Sequence, residues 1–360
     1  MNEQEFIPSK YPTLVTSGST AWRAPSNIAL VKYWGKFPDQ IPANPSISFT
    51  LSNAATTTSV AFERKEKGNG ETSFDLLFEG KSKEEFRPKI STFFQRISKY
   101  LPFLNEYHLK IETSNTFPHS SGIASSASGM AALALCLMDM EKRMVPSMDS
   151  DFLLKKASFL ARLGSGSACR SISGPIVEWG RHKDLSDSSD LIGLSYGGKV
   201  HEVFKEYQDT ILLVHKGEKI VSSTAGHDLM NNHPFAKTRF AQAHMNLSRL
   251  LSVFETGDLQ EFIEIVESEA LTLHAMMMTS VPYFVLMKPQ TLSIIEKIWS
   301  YRKESGVPLC FTLDAGANVH LLYPQKYTEK VLQFIKNELV VYCENGQYIC
   351  DQVGGGSKKV

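Results

Sequence analysis

The chain has 360 residues, of which 42% are hydrophobic and 21% charged, values that fit a folded globular protein with a large core. Lys+Arg and Asp+Glu number 38 each, and this zero formal net charge argues against nucleic acid or an anionic membrane as the partner. The five cysteines show no C-x-x-C pair and no zinc-ligand spacing, and we find no secretory signal and no membrane-spanning apolar run. These features favour a reducing cytoplasm.

The length predicts about two domains. Residues 1–20 are polar and rich in turn formers, so we expect them to be loosely ordered or to drape over the first domain. We place the first domain at 21–216 and the second at 217–353, because long helical patterns begin after a buried strand at 210–214. The glycine-rich residues 354–360 predict a flexible tail.

Alternating patterns predict strands, and apolar residues at helical spacing predict helices. The first half of the chain gives strands at 19–24, 46–51, 56–63 and 74–78, a helix at 86–100 and a strand at 107–113. An Ala/Leu-rich helix follows, then a helix at 151–163 and strands at 176–179 and 210–214. The remainder gives helices at 235–255, 259–279 and 292–305, and strands at 310–313 and 320–323. The turns between these elements carry the side chains of chemical interest.

One turn, residues 117–129, consists of small residues and hydroxyls and leads into the Ala/Leu-rich helix. Free N–H groups at the start of a helix attract anions, as does the helix dipole, and small side chains let a phosphate approach the backbone. No Gly-Lys-Ser/Thr follows the glycine, so this is not a Walker loop. The segment predicts a phosphate-binding loop, and the structural alternative is a Ser/Ala-rich helix start packed on a neighbour.

Cationic residues lie in two other segments. Lys32, Tyr33 and Lys36 interrupt an otherwise apolar run. They fit either a strand edge whose lysines reach solvent or a cleft wall that binds an anion. Arg170 lies in a second small-residue turn, 164–171, where its guanidinium could give bidentate hydrogen bonds to a carboxylate or phosphate, or cap the turn at the surface.

A carboxylate marks the turn between the last two predicted strands. Asp314 stands there beside Gly316. Asp and Gly are ordinary turn formers, so the pattern alone fits a structural turn. The same carboxylate could also accept a proton during catalysis.

Together these segments resemble the diphosphomevalonate decarboxylases, a family of the GHMP kinase superfamily. The resemblance runs from Ala21 to Pro324 and rests on motifs that occur in the family's order, at 27–36, 118–129, 164–171, 221–223, 274–275 and 312–316. It implies an α+β, two-domain GHMP kinase fold. The N-terminal half would resemble domain 2 of ribosomal protein S5, the C-terminal half would be ferredoxin-like, and the active site would lie in the cleft between them.

The resemblance also implies a reaction and its residues. ATP would phosphorylate the 3-hydroxyl of (R)-5-diphosphomevalonate, and loss of phosphate and CO2 would give isopentenyl diphosphate. Asp314 would be the catalytic base, Lys36 would lie near the hydroxyl, and Arg170 near the substrate's carboxylate. The substrate-binding set would be Tyr33, Lys36, Ser165, Ser167, Arg170 and Ser223, and the ATP-binding set Pro118, Ser120, Ser121, Gly122, Ala124, Ser125 and Ser126. Mg²⁺ would bind through the ATP phosphates, with Ser125 as a candidate ligand, and the protein would be a homodimer.

The chain departs from the family pattern at several positions. His119-Ser120-Ser121 replaces the usual Thr-Ala-Ala, Thr224 replaces a frequent arginine, Ala317 replaces a proline, and His227 is unusual. These changes leave open a phosphomevalonate decarboxylase that acts on the monophosphate. Mevalonate 3-kinase is less similar because it lacks the Asp/Lys/Arg set. A catalytically silent nucleotide-binding relative is a further alternative, whereas the missing basic stripe opposes a nucleic-acid-binding role.

Overall fold

Two large β-sheets with helices packed on them, and a two-stranded ribbon of β2 and β3, organise the described residues in a computed structural model. It describes residues 2–66, 72–118, 123–217 and 223–360, without the side chains of Ser223 and Thr224. The strands are β1 Ser17–Val31, β2 Lys36–Phe37, β3 Ile41–Pro42, β4 Ser46–Arg64, β5 Ser73–Phe78, β6 Lys81–Ser82, β7 Tyr107–Asn115, β8 Ile176–Trp179, β9 Leu194–Ser195, β10 Gln208–Leu212, β11 Cys310–Leu313, β12 Val319–Tyr323, β13 Tyr348–Gln352 and β14 Lys358–Lys359. The helices are α1 Arg87–Ile97, α2 Ser125–Met144, α3 Ser150–Gly164, α4 Ser223–Asp228, α5 Ala236–Thr256, α6 Leu259–Met278, α7 Pro289–Ser305 and α8 Thr328–Phe334.

The larger sheet has the strand order β14-β1-β4-β7-β5-β6, and β8 pairs with β4 and β9. In strand β5 the alternate residues Phe74, Leu76 and Phe78 are buried while Asp75 is exposed to solvent. One face of the sheet therefore packs against the core. Helix α2 is buried on almost every side between this sheet and α3, which its run of alanine, leucine and methionine explains. The predicted Ala/Leu-rich helix is therefore the centre of the first core.

The smaller sheet has the order β11-β12-β10-β13, with α5, α6 and α7 between β10 and β11 and α8 between β12 and β13. This order and connectivity are those of a ferredoxin-like domain, as expected. The predicted domain boundary at 216 is wrong in one respect, because β10 pairs with β12 and β13 and so belongs to the second sheet. The sequence of a buried strand does not indicate which sheet the strand joins. The boundary between the two domains lies before residue 208.

The described part of the N-terminal segment packs on the first domain. Asn2 and Glu5 form a capping box on a short 3-10 helix, and the ring of the buried Phe6 lies 4.6 Å from that of Phe159. The Tyr11 hydroxyl donates a hydrogen bond of 2.8 Å to the buried Glu141 carboxylate. These contacts tie the segment to α2 and α3.

The prediction of a flexible tail is wrong. Strand β14 pairs with β1, and the Lys359 ammonium lies 2.7 Å from the Asp139 carboxylate. The glycines that suggested flexibility instead allow close packing, because a Cβ on Gly354 would lie 2.5 Å from the backbone of Ser52. The chain therefore leaves the second sheet after β13 and returns to the first.

Most of the other predicted helices and strands are present with small shifts of their ends. Strand β1, however, runs seven residues beyond the predicted 19–24, and the predicted strands 46–51 and 56–63 form one continuous strand, β4. Helix α7 begins at Pro289, three residues earlier than predicted, with proline in its first turn. All five cysteines are free thiols. Within the described ranges, no helix is both long and apolar enough to cross a membrane.

Candidate active site

A cleft of about 1180 Å³ lies between the two domains. Its walls come from the end of β1, one face of α1, the start of α2, the 164–170 turn, and α4, α6 and the β11–β12 loop of the second domain. The described lining holds two carboxylates, Glu85 and Asp314, but seven cationic side chains, namely Lys32, Lys36, Lys83, Lys89, Arg96, Arg170 and Lys216. Such an excess of positive charge suits a ligand with several phosphate groups.

Asp314 projects into the cleft from the turn between β11 and β12, and its side chain is 27% exposed. The Asp314 carbonyl accepts hydrogen bonds from Gly316 N at 2.7 Å and from His274 Nε2 at 3.1 Å. Burial lowers the pKa of His274 to about 4, so this imidazole is neutral and carries its proton on Nε2. His274 therefore holds the backbone of the turn rather than exchanging protons.

The ammonium beside the Asp314 carboxylate belongs to Lys32. Its Nζ lies 3.6 Å from Asp314 Oδ1, is almost completely buried, and has no hydrogen-bond partner among the described residues. Burial lowers the pKa of Lys32, while the charges of Asp314 and Glu269 oppose that shift. The resemblance placed Lys36 near the reacting hydroxyl; Lys36 also lines the cleft, but the carboxylate nearest its Nζ is that of Asp228, at 3.9 Å.

Two helices of the second domain hold Lys32 by its backbone. Glu269 on α6 accepts a hydrogen bond of 2.8 Å from Lys32 N, and Arg239 on α5 donates one of 3.1 Å to Lys32 O. Arg239 and Glu269 are themselves fully buried and joined by a two-pronged salt bridge. The second domain thus fixes where a residue of the first domain stands.

Arg170 belongs to the 164–171 turn, is buried, and lines the cleft. Its Nε donates to Asn27 Oδ1 at 3.4 Å, and its Nη1 donates to Ser46 Oγ. The guanidinium lies 5.7 Å from the Trp179 ring. Burial lowers the pKa of Arg170, yet a guanidinium stays charged, so the residue offers fixed positive charge to an anion in the cleft.

The other predicted substrate-binding residues lie around Arg170. Tyr33, Ser165 and Ser167 all line the cleft, and the Tyr33 hydroxyl is buried without a hydrogen-bond partner in the described part of the chain. A buried hydroxyl without a partner is costly, so a ligand oxygen at this point is favoured. Ser223 opens α4, but its side chain lies outside what the structure describes.

The predicted ATP-binding loop is seen in part. Ser125 and Ser126 form the first turn of α2 and line the cleft with Ala124, whose φ of 43° bends the backbone into that turn. Lys89 Nζ donates to Ser126 Oγ at 2.8 Å. Pro118 is exposed and is not part of the lining, and Ser120, Ser121 and Gly122 lie outside the described residues.

Comparisons with known proteins match both halves of the chain. Residues 24–190 match the family model for a diphosphomevalonate decarboxylase-like N-terminal domain, and residues 210–354 that for a mevalonate 5-diphosphate decarboxylase C-terminal domain. The diphosphomevalonate decarboxylase of Gibberella zeae is 31% identical over 321 residues, which cover 84% of this chain and 80% of the relative. The chain belongs to the diphosphomevalonate decarboxylase family.

Solved structures of diphosphomevalonate decarboxylases have the same fold. The enzyme from Staphylococcus aureus superposes with a TM-score of 0.80 at 28% identity, covering 96% of this chain and 98% of that one. The Enterococcus faecalis enzyme gives a TM-score of 0.79 at 28% identity, with 95% and 98% covered. The predicted two-domain GHMP kinase fold is thereby confirmed.

The sequence pattern did not predict that Lys32 pairs with Asp314, nor that Arg239 and Glu269 form a buried pair behind it. Lys32 did carry a signal, because it directly follows the fully buried end of β1, where a charged side chain needs a partner. Arg239 and Glu269 carried none, since a charged residue on an amphipathic helix normally faces solvent.

Proposed function

We propose that this protein catalyses the ATP-dependent decarboxylation of (R)-5-diphosphomevalonate to isopentenyl diphosphate, with ADP, phosphate and CO2 as the other products, in the mevalonate pathway of isoprenoid biosynthesis. The single observation that carries the proposal is the Lys32–Asp314 pair, set at the wall of a strongly cationic interdomain cleft. Family membership and the fold agree with it. The roles of individual residues below are part of the proposal.

Asp314 is the group that orients and deprotonates the tertiary 3-hydroxyl. Lys32 places a positive charge beside the Asp314 carboxylate and balances negative charge that develops on the reacting oxygen. The proton moves to Asp314 as the hydroxyl oxygen bonds to the γ-phosphorus of ATP and ADP departs. The new phosphate then leaves, and the electrons of the bond to the carboxylate form the double bond as CO2 is released.

Arg170 holds the carboxylate that becomes CO2, because Asn27 and Ser46 already fix one side of its guanidinium. Tyr33, Ser165, Ser167, Ser223 and Lys36 complete the substrate site. Lys36 stands at the outer part of that site with Asp228, where it meets the phosphate groups. In this arrangement positioning and charge neutralisation supply most of the catalysis.

The start of α2 fits the phosphates of ATP. Helix α2 is 20 residues long, and the open N–H groups of its first turn, the hydroxyls of Ser125 and Ser126 and the nearby Lys89 lie together at the cleft. A similar solved structure, at a TM-score of 0.80, is described as a complex with MVAPP, AMPPCP and magnesium. We infer ATP as co-substrate, with Pro118, Ser120, Ser121, Gly122 and Ala124 in the same loop.

Mg²⁺ fits the chemistry of this site when carried by the nucleotide. Among the described residues no cluster of three His, Cys, Asp or Glu side chains could hold a metal. The nucleotide phosphates would supply most of the oxygen ligands, with Ser125 as the candidate from the protein. The ion neutralises phosphate charge.

We also propose a cytoplasmic location, supported by the five free thiols. We further propose a homodimer, which rests on the family resemblance.

A parallel assay tests this function. Purified protein is incubated with Mg-ATP and, separately, with mevalonate, its 5-phosphate or its 5-diphosphate, while ADP and CO2 are measured. We expect turnover of the diphosphate with one CO2 per ADP. Preference for the monophosphate would identify a phosphomevalonate decarboxylase, ADP without CO2 a kinase, and no turnover a silent nucleotide-binding relative.

A further inference from the structure

His227 lines the cleft at a position where the chain departs from the family pattern. It lies on α4, is buried, and contributes to the cleft wall near Tyr33 and Lys36. Its ring packs between two aromatic rings, with centroids 4.2 Å from Tyr33 and 4.6 Å from Trp34. The imidazole therefore has little freedom to turn, and its two nitrogens point in fixed directions.

The hydrogen bond from Gly35 sets the tautomer of this ring. Gly35 N donates to His227 Nδ1 at 3.0 Å, and a backbone N–H can only donate, so Nδ1 carries no proton. The neutral ring therefore has its proton on Nε2. Burial, with the nearby charges of Lys36 and Arg170, lowers the pKa of His227 to about 3, so the ring stays neutral at physiological pH.

The Nε2–H group has no acceptor within the protein as described. No hydrogen bond joins it to any residue of the described ranges, although the ring lines the cleft. The hydroxyl of Tyr33, whose ring packs against that of His227, is likewise without a partner there. Two polar groups on neighbouring rings, close to the charges of Lys36 and Arg170, thus lack a hydrogen-bond partner among the described residues.

We propose that His227 binds the substrate by donating a hydrogen bond from Nε2–H to one of its anionic oxygens. The inference rests on the proposed function, since it takes the substrate to be a phosphorylated mevalonate. His227 cannot act as the base, because Nε2 already holds a proton and Nδ1 is engaged by Gly35. It is a neutral donor among cations, which adds direction to a site where Lys36 and Arg170 supply charge.

Two substitutions separate this role from a structural one. His227→Asn keeps an acceptor near the place of Nδ1 for Gly35 N–H but removes the outer donor. His227→Gln keeps an N–H near the place of Nε2 but removes the acceptor for Gly35. Substrate binding is measured by titration calorimetry and as KM, the KM for ATP serves as the internal reference, and thermal melting checks the fold of both variants.

We expect His227→Asn to weaken substrate binding roughly tenfold to a hundredfold, as loss of a hydrogen bond to a charged group does, while the KM for ATP changes little. His227→Gln should recover most of that loss. The reverse order would show that the ring only supports the Gly35 turn and would overturn the proposal, as would equal effects of the two variants or none in either.

The substrate series shows which oxygen accepts the bond. A larger loss in His227→Asn with the 5-diphosphate than with the 5-phosphate places the oxygen on the terminal phosphate, and equal losses place it on a group that both substrates share. If the wild-type protein turns over neither compound, the proposed function fails. If the wild type is active but the variants do not rank as expected, only the role of His227 fails.

Discussion

Lys32 Nζ lies 3.6 Å from Asp314 Oδ1, so a residue at the end of the first strand and one in the turn before β12 form a single ion pair across the two domains. Lys32 is buried and Asp314 is partly open to the cleft. A buried ammonium is costly without its counter-charge, so the carboxylate is held both by its own turn and by this electrostatic attraction.

Removing the Lys32 charge should reduce the chemical step more than it reduces binding. We expect Lys32→Met to lower kcat by about 10²-fold or more, because the Asp314 carboxylate loses its partner and the transition state loses a cation. Lys36→Met should instead raise the KM for the substrate, since Lys36 pairs with Asp228 away from the base. Steady-state kinetics of the two variants decide the assignment, and a larger fall of kcat in Lys36→Met would restore the sequence-based one.

Neutralising Asp314 should remove catalysis and leave binding largely in place. Asp314→Asn keeps the size of the side chain and the backbone bonds from His274 and Gly316 but cannot accept the proton. We expect turnover to fall by about 10²- to 10⁴-fold, the usual contribution of a general base. Calorimetric titration with ATP should give near-wild-type affinity, and a variant that keeps normal turnover would exclude Asp314 as the base.

The Arg239–Glu269 pair should be important for stability as well as for Lys32. Glu269→Gln leaves the fully buried Arg239 without a counter-charge, and breaking a buried pair in this way costs about 3–5 kcal/mol. Urea unfolding measures the loss, and kcat should fall too because the Lys32 N–H loses its charged acceptor and Arg239, which holds the Lys32 carbonyl, loses its counter-charge.

A surface pair gives the matched control for that substitution. Lys199 and Glu255 form an ion pair in which both side chains are exposed, so Glu255→Gln should cost less than about 1 kcal/mol. Equal losses in the two variants would mean that burial of the Arg239–Glu269 pair contributes nothing.

Glu178 on β8 should make stability fall as the pH rises. Burial, followed by the charge of Asp187, raises its pKa to about 7, and its Oε2 has no hydrogen-bond partner among the described residues. Below the ordinary pKa near 4.5 the group is neutral in both states, whereas above pH 7 the folded protein must hold a buried charge. The contribution of Glu178 to the free energy of unfolding is therefore fully present at low pH. It is lost as the pH rises through the pKa that Glu178 has in the folded protein.

Glu178→Gln tests this directly, because glutamine cannot ionise. The variant should melt roughly 2–4 °C above the wild type at pH 8 and show a much smaller difference at pH 5. Melting curves at the two values are sufficient. A gain of equal size at both would indicate a packing effect rather than titration.

Features that depend on residues close together in the sequence could be predicted, whereas features that depend on residues far apart in the sequence could not. Helices such as α5 and α6 were predicted closely because their apolar spacing is local. The partners of β10 and β14 were not, since strand pairing joins segments far apart in the chain. Short motifs pointed to Arg170, Asp314 and the start of α2, which line the cleft. The position of Lys32 depends on Arg239 and Glu269, which no motif includes.

The return of the chain to its first sheet also affects how the protein can fold during synthesis. Strand β1 is among the first parts to leave the ribosome, but its neighbour β14 is made only after the whole second domain. One edge of the large sheet therefore stays open through most of translation, and its closure depends on contacts of very long range, which form slowly. The N-terminal domain completes its fold only after the C-terminal domain has been synthesised.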